Sequence, residues 1–133
     1  MRHMKNIEDC WGEKLSQILV KPNTDYFSPT GEILLDEIVF VFEKSKLHIL
    51  PISDTDEISV KCLEYDNAEN ATSFIATSVF NEYVGKSLSI TWNCVNANGY
   101  FDLYVIGFAE LHPSVMILSE GGVLKLFNAK RAK

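Results

Sequence analysis

Between Leu34 and Val60 the chain runs through two apolar, β-branched and aromatic segments joined by a short polar link. The first, Leu35 to Phe42, is followed by Glu43-Lys44-Ser45-Lys46, and Leu47 to Ile52 then returns as its hairpin partner. Side chains such as Ile, Val and Phe fit a pleated, half-buried surface, so both segments are expected as strands of an antiparallel sheet. From Ile38 to Phe42 nearly every position is apolar, which predicts that both faces of the first strand are covered. In the second, Leu47, Ile49 and Pro51 share one face, and Pro51, lacking an N–H, places that strand at the periphery or ends it. Ser53-Asp54-Thr55-Asp56 has the composition of a corner, because Ser and Asp side chains bond their own backbone in turns. Ile58 to Leu63 then alternates as a third strand, with Ile58, Val60 and Cys62 inward.

The remainder of the chain extends this pattern. Ile7 to Val20 fits either a short helix or a strand, since periodicity does not separate them over so few residues. Pro22-Asn23 and Pro29-Thr30-Gly31 are stops, flanking a polar loop that carries Tyr26 and Phe27. Tyr65 to Asn81 is expected as a loop, with a short helix near Val79 to Val84 ended by Gly85. Leu88 to Val95 reads as a strand with Leu88, Ile90, Trp92 and Cys94 on one face. Asn96-Ala97-Asn98-Gly99 turns it into Tyr100 to Glu110, because Asn and Gly accept the positive φ of tight hairpins. Val115 to Leu118 and Val123 to Phe127, around Gly121-Gly122, form a last hairpin.

The expected fold is therefore α+β: an antiparallel β meander of about six to eight short strands folded over itself, with one or two short helices. The 133 residues suit one domain, spanning residues 5–128. Residues 1–4 read as a vector remnant or a disordered start, and residues 129–133 as a basic frayed tail. No apolar run approaches the roughly 20 residues needed to cross a bilayer, and no apolar leader opens the chain, so a cytoplasmic location and no membrane contact are expected. The three cysteines, Cys10, Cys62 and Cys94, lie far apart without a Cys-x-x-Cys spacing. They are expected as buried free thiols, with neither a disulfide framework nor a zinc site.

Charge narrows the function classes. The formal net charge is −6, and from Glu32 to Glu69 ten acidic side chains face three lysines. An acidic body disfavours nucleic acid, whose affinity comes from phosphates neutralised by Lys and Arg, and favours a basic protein partner through electrostatic steering. Asp54, Asp56 and Glu57, with Asp36 and Glu37, form the expected acidic binding surface. The hairpin region Trp92 to Asp102 adds Tyr100 and Asp102, and the loop adds Tyr26 and Phe27 as aromatic anchors. Asp54 and Asp56 also suit a hard cation, but no glycine stands where a calcium loop of the EF-hand type requires one. No cofactor or metal is therefore assigned. His48 and His112 stand in no nucleophile-elbow or metalloprotease pattern, so no catalytic residue is assigned either.

Three segments in order, Leu35-Asp-Glu-Ile-Val-Phe-Val-Phe42, Asp54-Thr-Asp-Glu-Ile58 and Trp92-Asn-x-x-Asn-x-Asn-Gly-Tyr-x-Asp102, resemble a family of small uncharacterised bacterial proteins, a domain of unknown function. The likeness spans about residues 15–127 and implies no activity, ligand or catalytic residue. In size, charge and architecture the chain is also similar to bacterial immunity proteins that neutralise toxins. The expected function is thus non-catalytic: a cytosolic protein-binding domain, of the immunity type, occluding a basic toxin. The alternatives are a structural or homodimerising module using an exposed edge at Val115 to Phe127, and a weak metal-dependent enzyme using Asp54 and Asp56.

Overall fold

The computed structural model describes residues 4–23, 34–64, 74–77 and 79–129. Ten strands, β1 (Met4–Lys5), β2 (Leu15–Pro22), β3 (Leu34–Phe42), β4 (Ser45–Ile52), β5 (Glu57–Glu64), β6 (Ile75–Ala76), β7 (Leu88–Val95), β8 (Phe101–Phe108), β9 (Val115–Glu120) and β10 (Val123–Asn128), form one sheet. Every pairing is antiparallel, in the order β1-β5-β4-β3-β10-β9-β8-β7. The opposite edge of β3 carries β2, which in turn carries β6. The sheet curls into a half-barrel. The curl brings the start of β2 to the start of β7, stitched by a bridge between Lys14 and Ser87 and flanked by Gly12 N–H to Leu88 O at 2.7 Å and Leu15 N–H to Lys86 O at 3.0 Å.

β3 organises the curl because it exchanges partners along one edge. Ile38 to Val41 pair with β4, whereas Leu34 and Leu35 pair with β10. Asp36 lies in the fork between them and has no register partner on β2, where Lys21 pairs with Glu37 and Pro22 with Leu35. Such a bulge inserts one extra residue and reverses the inward phase of the strand. Leu35 and Ile38, three positions apart, therefore both reach the core. Ser16 does the same in β2, so Leu15 and Ile18 both point inward.

The core is aromatic at its centre. Phe108 lies with ring centroids 5.3 Å from Tyr83, 6.1 Å from Phe40 and 6.5 Å from Phe42. Leu47, Ile49, Tyr104, Ile106, Ile117 and Leu124 complete it from four strands. As expected, all five residues from Ile38 to Phe42 are buried, Ile38, Phe40 and Phe42 within the main cluster and Val39 and Val41 outside it.

Three expectations are corrected. Among the described residues the only helical elements are two 3-10 turns, Ile7–Cys10 and Asn81–Tyr83, so the fold is mainly β rather than α+β. Thr, Ser and Val upstream of the second turn disfavour helix, and Phe80, with φ at 62°, bars an α-helical entry. The Val115 to Phe127 hairpin is not a free edge: β9 is paired on both sides, and β10 begins between β9 and β3. Finally, Cys10 and Cys62 are not separate thiols. Pairing of β1 with β5 carries the first 3-10 turn over β5, and the two sulfurs meet there as a disulfide pair linking positions 52 residues apart. Their Cα separation of 7.5 Å is wider than the roughly 4.4–6.8 Å usual for such a link. Cys94 remains free and half-buried.

Candidate functional site

Three hairpin tips gather at one end of the half-barrel, and acidic side chains hold them together. In the β4–β5 turn Asp56 adopts a left-handed backbone, φ 57°, a conformation that Asp tolerates better than most residues. Its Oδ1 accepts the Gly121 N–H of the β9–β10 turn at 3.2 Å. Next to it, Glu57 Oε2 accepts the Phe101 N–H at the start of β8 at 3.2 Å, while Glu57 Oε1 accepts the Thr55 hydroxyl at 2.9 Å. Two consecutive carboxylates therefore tie the β4–β5 turn to both other tips.

The β7–β8 tip is built by Asn96. Its Oδ1 accepts the Asn98 N–H at 2.8 Å and the Tyr100 N–H at 3.2 Å, and Gly99 supplies the positive φ of 86° the turn needs. Asn96 Nδ2 donates to Asp102 Oδ2 at 3.2 Å. Asp102 is itself a bulge residue, since Cys94 pairs with Leu103 and Val95 with Phe101. Asp36 is its counterpart, a bulged aspartate accepting from an asparagine, Asn23 Nδ2 at 2.7 Å.

Of the residues expected to form a binding surface, Asp54, Asp56, Glu57, Tyr100 and Asp102 are thus brought to one end. Asp54 and Asp56 are exposed. Around them Ile52 is 40% exposed, Tyr100 43% and Val95 61%, large exposures for apolar and aromatic side chains. Asp36 and Glu37 lie in the β3 fork, and Glu37 Oε2 stands 3.1 Å from His48 Nε2, whose ring meets Phe74 edge-on at 5.9 Å. Tyr26 and Phe27 lie outside the described residues. Among the described residues no three His, Cys, Asp or Glu side chains gather as ligands for one metal ion.

A second feature escaped the sequence reading. A cavity of about 440 Å³ lies beside the second 3-10 turn and the 109–114 loop, and Glu82, Tyr83, Lys86, Glu110 and His112 are among the residues that line it. The Tyr83 hydroxyl carries one proton and has two acceptors in reach, Asn128 Oδ1 at 2.9 Å and the Ser114 carbonyl at 3.2 Å. Asn128 Nδ2 donates to Glu82 Oε1 at 2.8 Å, which fixes the amide with its oxygen toward Tyr83. Burial, and next the Glu82 carboxylate, push the Tyr83 hydroxyl above its ordinary pKa, against the opposing bond to Asn128. Phe80 and Ala109, which flank this region, both hold positive φ, 62° and 61°. Neither strained residue is Gly, Asn or Asp, so composition gave no sign of them; only Pro113 and Gly85 marked the turns.

No curated protein and no solved structure matches this chain. Residues 1–133 match a family of unknown function, DUF6334, and the chain belongs to that family.

Proposed function

We propose that this domain acts by binding a protein partner with a basic surface, through the end where the three hairpin tips meet. The observation that carries this reading is the pairing of Asp56 with Gly121 and of Glu57 with Phe101. These bonds pre-assemble three tips while Asp54, Ile52, Val95 and Tyr100 stay exposed beside them. A preformed surface loses less conformational entropy on binding than loops that must order. Acidic groups at its rim raise the encounter rate with a basic partner, and exposed Tyr and Ile supply anchors. Occlusion of a basic toxin, as an immunity protein performs it, is one form of this activity.

The test compares capture by the wild type with capture by an Asp54→Lys/Tyr100→Ala variant, since neither side chain holds the tips together. A basic protein retained by the wild type, lost in the variant and released by added salt supports the reading. Capture indifferent to both salt and the two substitutions refutes it.

A second reading is favoured by the Tyr83 cavity, whose volume falls within the roughly 300–1,000 Å³ of small-molecule sites. Carboxylates (Glu82, Glu110) and basic groups (Lys86, His112) among the residues that line it suit a small zwitterion. Thermal-shift screening with free amino acids tests this: stabilisation abolished by Lys86→Ala supports it, and no stabilisation by any of them removes it.

A further inference from the structure

We infer that the free edge of β7 pairs with the same edge of a second copy of this chain, antiparallel and centred on Trp92. One edge of β7 is bonded to β8. On the other, Gly12 and Glu13 occupy the backbone groups of Leu88, and among the described residues nothing bonds beyond that point. The stretch left open, Ser89 to Val95, has Trp92 at its midpoint. Within it the irregularities at Leu88/Ile90 and Cys94/Val95 bracket a regular run, Ile90 to Cys94, which is again centred on Trp92.

This edge lacks the usual protection. Sheets guard their edges with charged residues, proline, bulges or a covering segment. β2 is covered by β6, and β5 is partly covered by β1 and carries Glu57, Lys61 and Glu64. β7 reads Leu-Ser-Ile-Thr-Trp-Asn-Cys-Val, without a charged residue, Gly or Pro, and its two bulges leave the central five residues regular. Only Leu88 in this strand is fully buried, and Ile90 and Trp92 are half-exposed.

The occupant follows from what the edge can match. A two-fold pairing centred on Trp92 sets Trp92 against its own copy, Ile90 against Cys94, and Thr91 against Asn93. Apolar meets apolar, a hydroxyl meets an amide, and no like charges oppose one another. Net charge does not prevent it. At about 3.4 Å per residue the two Val95 residues stand roughly 20 Å apart, well beyond the roughly 8 Å screening length at physiological salt. The acidic tips then face opposite ways, which leaves them accessible in the dimer.

Sedimentation velocity over a range of concentrations tests the pairing. The wild type is expected to dimerise as concentration rises. The Thr91→Lys/Asn93→Lys variant, which sets lysine against lysine at two symmetric positions, is expected to stay monomeric with an unchanged circular dichroism spectrum. In a Cys94→Ser background, Trp92→Cys is expected to cross-link with its copy on oxidation by glutathione disulfide, while Asn93→Cys does not. A wild type that remains monomeric, a dimer that survives the lysine pair, or cross-linking at position 93 rather than 92 overturns the proposal. If the lysine variant loses its fold, the cross-linking pattern alone decides.

Discussion

Replacing Gly107 by Ala tests how tightly the 109–114 loop is packed against β8. A Cβ at Gly107 would lie 2.8 Å from the His112 carbonyl oxygen, 3.0 Å from the Glu110 carbonyl oxygen and 3.1 Å from Ile90 Cγ2. Two of the three neighbours are backbone, so no rotamer change relieves the clash. A carbon–oxygen contact is comfortable at roughly 3.3–3.6 Å, so the loop must retreat by about half an ångström. It is held by Ser114 N–H to Ile106 O at 2.8 Å and by Phe108 N–H to Ser114 Oγ at 3.0 Å. Overpacking of this kind costs about 1–3 kcal/mol, and loss of one of these bonds adds about 1 kcal/mol. We therefore expect Gly107→Ala to destabilise by about 2–4 kcal/mol, a large share of the roughly 5–15 kcal/mol typical of a domain. The assay is urea unfolding followed by circular dichroism, with Gly99→Ala as the control. Gly99 lies at a turn rather than in a strand, its φ is 86°, and among the described residues nothing stands within 4 Å of the added methyl. Its cost is conformational alone, about 1 kcal/mol. A Gly107→Ala loss below about 0.5 kcal/mol, or one no larger than that of Gly99→Ala, would refute the steric argument.

Ala109→Gly removes the left-handed strain at φ 61° and should raise stability by about 0.5–1 kcal/mol in the same unfolding assay. Tyr104→Phe should also stabilise, by about 1 kcal/mol, because the Tyr104 hydroxyl is fully buried without a hydrogen-bond partner among the described residues; the thermal midpoint reports it. Burial pushes the Tyr104 pKa up to about 12, and the nearby Thr91 hydroxyl offsets part of the rise without reaching hydrogen-bond geometry. Since the folded value lies above the unfolded value near 10, this contribution is fully present below pH 10 and is lost as pH rises toward 12. Wild-type stability should therefore fall above pH 10, and Tyr104→Phe should flatten that fall, as alkaline urea titrations would reveal. Asp56→Ala should cost about 1–2 kcal/mol, losing both the left-handed tolerance and the bond to Gly121, whereas Asp56→Asn should cost under about 0.5 kcal/mol.

Where local chemistry decides structure, the sequence was readable. Leu88–Val95 emerges as a strand at the boundaries expected, because β-branched and aromatic residues run up to an Asn-x-Asn-Gly turn whose residues accept positive φ. The same holds for Ile38 to Phe42, whose unbroken apolar run announces burial on both faces. What stayed hidden depends on distant partners. Alternation along β3 cannot reveal that Asp36 is a bulge, because the bulge exists only in register with Lys21 and Pro22. The meeting of Cys10 with Cys62 requires β1 to lie on β5, a pairing of two-residue length without a pattern of its own. The Tyr83 network joins residues 31 and 45 positions apart, and its most strained members, Phe80 and Ala109, carry side chains that give no hint of positive φ.

The acidic corner was legible as a location but ambiguous as a function, and its geometry explains why. Like charges packed into Asp54-Thr-Asp-Glu57 need a compensating interaction, and either a basic partner or backbone amides can supply it. Here two of the three carboxylates bond to amides of neighbouring tips, and only Asp54 lacks such a bond among the described residues. Removing all three acids at once would therefore mix two effects, loosening the tips and changing the surface charge. Asp54→Lys isolates the charge, while Glu57→Gln retains an acceptor for the Phe101 N–H and removes charge at a second point. If binding of a basic partner depends on charge, both variants weaken it and neither lowers the unfolding midpoint. If it depends on the arrangement of the tips, Glu57→Ala weakens binding together with stability while Asp54→Lys leaves both unchanged, and the electrostatic part of the proposal then fails.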